Sequence, residues 1–261
     1  MTRYHLLACG LISLTASVAM AADKQAAPAK LTVDQVIERN VAARGGLKAW
    51  RAINTLSMSG QMEAGGKKNS ALPFVMEMKR PHKSRLEIAF EGQTAVQVYD
   101  GSQGWKVRPF LDRNEVEPFT ADEAKAAAAW DELDGPLVDY ARKGTRVQLL
   151  GTEAVEGHPA YKLKLTMNSG EQRRLWIDAK SFLEVKIDGQ PRKMDGKVRD
   201  VAIYYRDYRM VNGLIMPHTF ETAVSGVNQT YKMHIDRVTV NQPLEEKDFE
   251  KPQLAMALPV N

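Results

Sequence analysis

From Thr55 onward, large apolar side chains recur at alternate positions. Leu56, Met58, Gly60 and Met62 share one parity, and beyond a turn at Gly65-Gly66 so do Leu72, Phe74, Met76 and Met78. Leu86, Ile88 and Phe90 extend the pattern to Gly92, and Val96 and Val98 run on to Asp100-Gly101. Period-two runs separated by Gly, Asn or Asp turns predict an antiparallel meander, because successive side chains of a strand point to opposite faces. After residue 145 the pattern returns at 147–150, 161–167, 173–178, 182–187, 198–208, 214–222 and 229–241. Asn212-Gly213 between two of these runs is a strong hairpin signal.

Two segments break this period. Thr32-x-x-Gln35 is a capping box, and Val33, Val36, Ile37 and Val41 form a helical stripe that ends at Gly45-Gly46. Leu47, Trp50 and Ile53 predict a short second helical turn packed back on the first. Thr120-x-x-Glu123 opens an alanine-rich helix that Gly135-Pro136 breaks, with a further turn predicted over 137–142. About ten or eleven strands with segregated helices make the class α+β. The tail from Pro243 is sparse in apolar residues and is expected to cover a sheet edge or trail over the surface.

The N-terminus adds a compartment. Arg3, the apolar run 6–18 and Ala19-Met20-Ala21 form a signal-peptide pattern with its cut after Ala21, and the apolar run is too short to span a bilayer. A competing lipobox at Leu6–Gly10 would lipidate Cys9, but leaves almost no apolar stretch in front of the cut. The division is then 1–21 signal, 22–31 flexible leader rich in Ala, Lys and Gln, and 32–261 a single domain. Cys9 is the only cysteine, so the mature chain has no disulfide, thiol nucleophile or thiolate metal site. The formal net charge is +4, and losing Arg3 makes it +3. Basic residues are scattered rather than striped, which argues against a nucleic-acid partner.

Candidate chemistry is sparse. Asp100-Gly101-Ser102-Gln103-Gly104 misses the first glycine of a nucleophile elbow and lies between two strands, so it reads as a hairpin turn. His82, His158, His218 and His234 fall on separate elements with no metal-ligand spacing, and no glycine-rich phosphate loop is present. The expectation is a protein that is not an enzyme and uses no cofactor or metal.

The informative feature is the methionine usage. Met58, Met62, Met76, Met78, Met167 and Met233 occupy strand positions compatible with one concave face. Methionine is unbranched and polarizable, and adapts to a flexible acyl chain. Two readings stand: these side chains fill the space between sheet and helices, or they line a cavity for cargo. In the second reading Leu72, Phe74, Leu86, Ile88, Phe90, Val96 and Val98 complete the lining.

The order of several short motifs carries a resemblance. Val36–Asn40 with Gly45–Trp50 and Ile53–Leu56, then Tyr99–Val107, Leu133–Tyr140, Leu150–Glu153 to Tyr161–Leu163, Trp176–Asp178 and Asn212–His218 resemble the periplasmic outer-membrane lipoprotein-sorting family over residues 32 to 252. The resemblance implies an unclosed antiparallel β-barrel whose concave face is capped by the N-terminal helix and the central helical insert. It implies a monomeric periplasmic carrier of lipid or lipoprotein acyl chains, passing cargo from an inner-membrane transporter to an outer-membrane acceptor. A sensor or accessory module that binds a protein partner with the same fold is the alternative. The family carrier is shorter and holds its lid with an arginine on an early strand, for which Arg80 and Arg85 are the nearest candidates here.

Overall fold

At Thr32 the hydroxyl accepts from the Gln35 N–H at 3.3 Å while the Thr32 N–H donates to the Gln35 side chain at 3.0 Å. This capping box starts α1 (Val33–Ala43), which stops where Gly45 and Gly46 take positive φ before α2 (Leu47–Arg51). A side chain at Gly45 would come within 2.4 Å of the Gly213 carbonyl, so this elbow needs glycine for space as well as for conformation. The computed structural model describes residues 31–63, 71–130, 133–194 and 196–253. The expected signal and lipobox, the leader up to residue 30, and the Gly65-Gly66 turn lie outside the described residues, while Leu31, expected to end the leader, packs against the cluster under α1.

The first strands are β1 (Thr55–Glu63), β2 (Ala71–Lys79), β3 (Lys83–Phe90), β4 (Gln93–Tyr99), β5 (Gly104–Arg108) and β6 (Arg113–Pro118). After α3 (Ala121–Trp130) come β7 (Arg146–Val155), β8 (His158–Thr166), β9 (Gln172–Asp178) and β10 (Glu184–Asp188). A small hairpin, β11 (Arg192–Met194) and β12 (Lys197–Arg199), precedes β13 (Val201–Val211), β14 (Leu214–Val224) and β15 (Thr230–Val240).

All the strands except β11 and β12 form one antiparallel 13-stranded sheet in the order β6-β5-β4-β3-β2-β1-β15-β14-β13-β10-β9-β8-β7. The β1–β15 pair joins the early and late strands, and β6 and β7 are its two outer strands. The sheet curves without closing, so the fold is an unclosed barrel with helices on its inner face. Four strands exceed the sequence expectation: β5, the polar β6, and the β11–β12 hairpin. Two segments are irregular where regular structure was predicted. Residues 137–142 run as successive turns without a helix, and Phe182, at φ +59, belongs to the turn before β10.

Two buried clusters occupy part of the inner face. Val36 and Ile37 of α1 pack on Leu163, Leu165, Leu175, Ile177 and Ile187, joined by Leu137 and Tyr161. Trp50 of α2, Ile53, Leu133 and Val138 pack on Leu56, Met78, Leu214 and Met216. The C-terminal segment covers a face rather than an edge. Its 3-10 turn, Glu246–Phe249, lies against β3 and buries Phe249 completely.

Candidate functional site

Pairing register places most of the candidate lining on one face. Met58 is opposite Met76, and Met76 opposite Leu86; Leu56 is opposite Met78; Gly60 is opposite Phe74, and Phe74 opposite Ile88. Met62 is flanked by Leu72 and by Met233, and Phe90 continues the parity of β3. Partners in an antiparallel pair share a face, so these rows form an apolar surface across β15, β1, β2 and β3. Met233 continues the surface to Phe220, which meets Tyr205 edge-on with ring centroids 5.4 Å apart. Phe74 and Met78 are buried, while Met58, Met62, Leu72, Met76, Leu86, Ile88, Phe90 and Met233 are half-buried.

Three candidates lie elsewhere. Glu91 and Gly92 both take positive φ, and their two-residue turn pairs Phe90 with Gln93. This puts Gln93, Ala95 and Gln97 on the inner face and sends Val96 and Val98 to the outer face, opposite Glu87 and Arg85. Val98 is buried there, and Val96 lines a cleft of about 470 Å³ beneath the C-terminal residues Lys247 to Gln253. Met167 sits just past β8, 3.6 Å from the Thr145 hydroxyl, and packs with the α1 cluster instead of with the other methionines.

A polar network ties the helices and the 133–143 strap to the sheet. The Asp134 side chain, only 2% exposed, accepts from Arg80 and from Lys143 at 2.6 Å each. Arg80 also donates to the carbonyls of Ile53 and Trp50, at 2.7 and 3.2 Å. From the end of α1, Arg44 donates to the Asp134 carbonyl at 2.9 Å, stacks 4.4 Å above the Trp50 ring and pairs with buried Glu184 at 3.2 Å. Tyr208 donates to the Glu184 carbonyl at 2.9 Å, and burial raises its hydroxyl pKa well above the ordinary value. Arg51 clasps Asp139 through two hydrogen bonds, and this contact holds the Asp139 carboxyl below its usual range. Of the two arginines named from sequence, Arg80 fastens the strap. Arg85 is on the outer face, bonded to Glu87 and to the Asp248 carbonyl, where it fastens the tail.

Asp134 and Lys143 went unread as site residues because a single Asp-Gly-Pro reads as a turn, and their roles depend on a partner more than fifty positions away in sequence. Arg44 was hidden by its position beside the glycines that end α1.

The Asp100 carboxylate accepts from the N–H groups of Ser102 and Gln103 and from the Ser102 hydroxyl, so that serine is committed to the β4–β5 turn. His218 is buried with its ring nitrogen 3.1 Å from the Met216 carbonyl, and His234 lies 3.1 Å from the Thr219 hydroxyl.

No protein-family model matches the chain, and no curated protein matches it in sequence. Solved structures do match its fold. A LolA superfamily protein from Nitrosomonas europaea is 14% identical, with 85% of this chain and 98% of that one aligned at a TM-score of 0.56. A putative outer membrane lipoprotein-sorting protein domain from Vibrio parahaemolyticus is 12% identical, over 83% and 95%, at 0.55. A DUF1329 family protein from Desulfovibrio piger is 13% identical, over 84% and 97%, at 0.57. The fold of this chain is LolA-like.

Proposed function

We propose that this LolA-like chain is an exported, periplasmic carrier that holds the acyl chains of a lipid or lipoprotein against its methionine face, without covalent chemistry. One observation carries the reading: a run of largely half-buried apolar side chains over four neighbouring strands, which Met58 and Met76 join to the cluster that α2 and the strap fill. Burial of an acyl chain contributes about 0.8 kcal/mol per methylene. A chain of about fifteen methylenes gains roughly 12 kcal/mol, against an association cost of about 4–15 kcal/mol. Binding on this scale is reversible, as a carrier requires. One structure of similar fold is named as a putative outer membrane lipoprotein-sorting protein domain, and lipoprotein cargo is in keeping with that fold. Donor and acceptor would then be a membrane transporter and an outer-membrane receptor for the same cargo.

The test uses the cross-strand pair Met76 and Leu86, both half-buried. Replacing both with Asp places two charges where the acyl chain would lie. Uptake of a fluorescent fatty-acid probe should be abolished in a protein that retains its circular dichroism, whereas Val75→Asp on the opposite face should bind as wild type. Unchanged uptake in the double variant contradicts the reading.

A further inference from the structure

Beside the strap lies a second cleft, of about 260 Å³, on which three parts of the chain converge. The β2–β3 turn brings Lys79, Arg80 and His82, and the strap brings Arg142 and Lys143 together with Leu133, Asp134 and Asp139. Four permanent cations therefore line a space with two carboxylates. Both carboxylates are already committed: Asp134 is held between Arg80 and Lys143, and Asp139 is clasped by Arg51. Lys79 has its own partner in Glu246 at 2.8 Å, outside the cleft lining. Arg142 is 71% exposed, and its contact with Asp139 is a long 3.4 Å. Arg80 spends Nε and one terminal nitrogen on Ile53, Trp50 and Asp134; among the described residues its other terminal nitrogen has no hydrogen-bond partner. A guanidinium offers five donors in a planar fork that suits phosphate oxygens.

We propose that this cleft is an anion site that takes a phosphate-type group. Arg142 and Arg80 supply the donors. The depressed carboxyl pKa of Asp139 reports the same positive field, its causes being Arg51 first and then Arg142 and Lys143. Leu133 links the site to the rest of the molecule, because it lines the cleft and also packs in the cluster that contains Leu56 and Met78. The head site thus borders the strap that closes one end of the apolar face, within reach of an amphiphile with an anionic head. As a statement about cargo class, this rests on the acyl-carrier reading; as an anion site, it does not.

The experiment is calorimetric titration of the folded protein with three probes: dodecyl phosphate, monododecanoyl glycerol and inorganic phosphate. Wild type should bind dodecyl phosphate about tenfold or more tightly than the neutral glyceride, the scale of one charge-assisted contact. Arg142→Glu should erase that preference and leave glyceride binding unchanged. Lys193→Glu, on the exposed β11–β12 hairpin, should preserve it. Equal affinity for the two amphiphiles in wild type overturns the anion site and leaves the carrier standing. Inorganic phosphate bound in an Arg142-dependent way, with neither amphiphile bound, supports the anion site as one for a free anion and overturns the carrier. Binding of none of the three probes overturns both.

Discussion

The two halves of the inner face are built to the same period but from different side chains. Under α1, the β8–β10 half presents Leu163, Leu165, Leu175, Ile177 and Ile187, all 0–3% exposed. Across β15, β1, β2 and β3, the other half presents Met58, Met62, Met76 and Met233 with Leu72, Leu86, Ile88 and Phe90, all half-buried. Branched aliphatic side chains have few rotamers and pack to crystal-like density under a helix. Methionine has three rotatable bonds and keeps a surface adaptable. The first half is packed for stability, and the second is less completely covered, as the proposed acyl-carrier function requires. α2 and the strap lie between these roles, closing one end of the methionine face through Trp50, Leu133 and Val138.

The largest effect is expected at the α1–α2 elbow. Arg44→Ala removes the cation that Glu184 pairs with and leaves its buried carboxylate on the Tyr208 hydroxyl, so urea denaturation should show a loss of about 3–5 kcal/mol. Next, Leu175→Ala should cost about 2–5 kcal/mol, since the residue is wholly buried. Its counterpart Met76→Ala should cost roughly 1 kcal/mol, being half-buried. Equal costs at the two positions would remove the distinction between the halves. A third substitution sharpens it: Asp134→Asn weakens the grip of Arg80 and Lys143 on the strap by about 1–3 kcal/mol. Stopped-flow mixing with a fatty-acid probe should then show faster entry in that variant, with the α1 half unperturbed in hydrogen exchange.

The smallest effect concerns the tail on the outer face. Lys79 and Lys83 hold the Glu246 carboxyl down to about 2, from an ordinary 4.5. A depressed carboxyl favours the docked tail above its undocked pKa, and this contribution is lost as pH falls through the docked value. The Phe249 ring signal in NMR should therefore keep its docked shift below pH 4 and move only as pH approaches about 2. Lys83→Ala should raise that midpoint toward 4.5. Glu77 works in the opposite sense. Burial and then Asp248 raise its pKa, so its contribution is present at low pH and fades as pH rises, and Glu77→Gln should tighten the tail at neutral pH.

Alternating apolar residues made the sheet and its inner face legible in sequence, and the capping boxes at Thr32 and Thr120 marked the helices. The side facing inward was less legible. Val96 and Val98 alternate as regularly as Phe74 and Met76, but the Glu91-Gly92 turn reverses their parity, and Phe249 covers the outer face nearby. A strand buried on both faces by different partners gives no one-sided signal. β6 was missed for a related reason, because Arg113–Pro118 is polar and its pairing with β5 is a tertiary fact. The strap network joins residues 44, 80, 134, 143 and 184, and no local pattern connects positions so far apart.

The central claim is that the methionine face holds acyl chains, and native mass spectrometry of the protein purified from its own host tests it most directly. The account predicts a co-purifying lipid or acylated peptide near one per chain, released by solvent extraction and absent from the Met76→Asp, Leu86→Asp variant. A bare protein mass, together with no uptake of a fatty-acid probe, would contradict it and make the methionines packing for the helices above them.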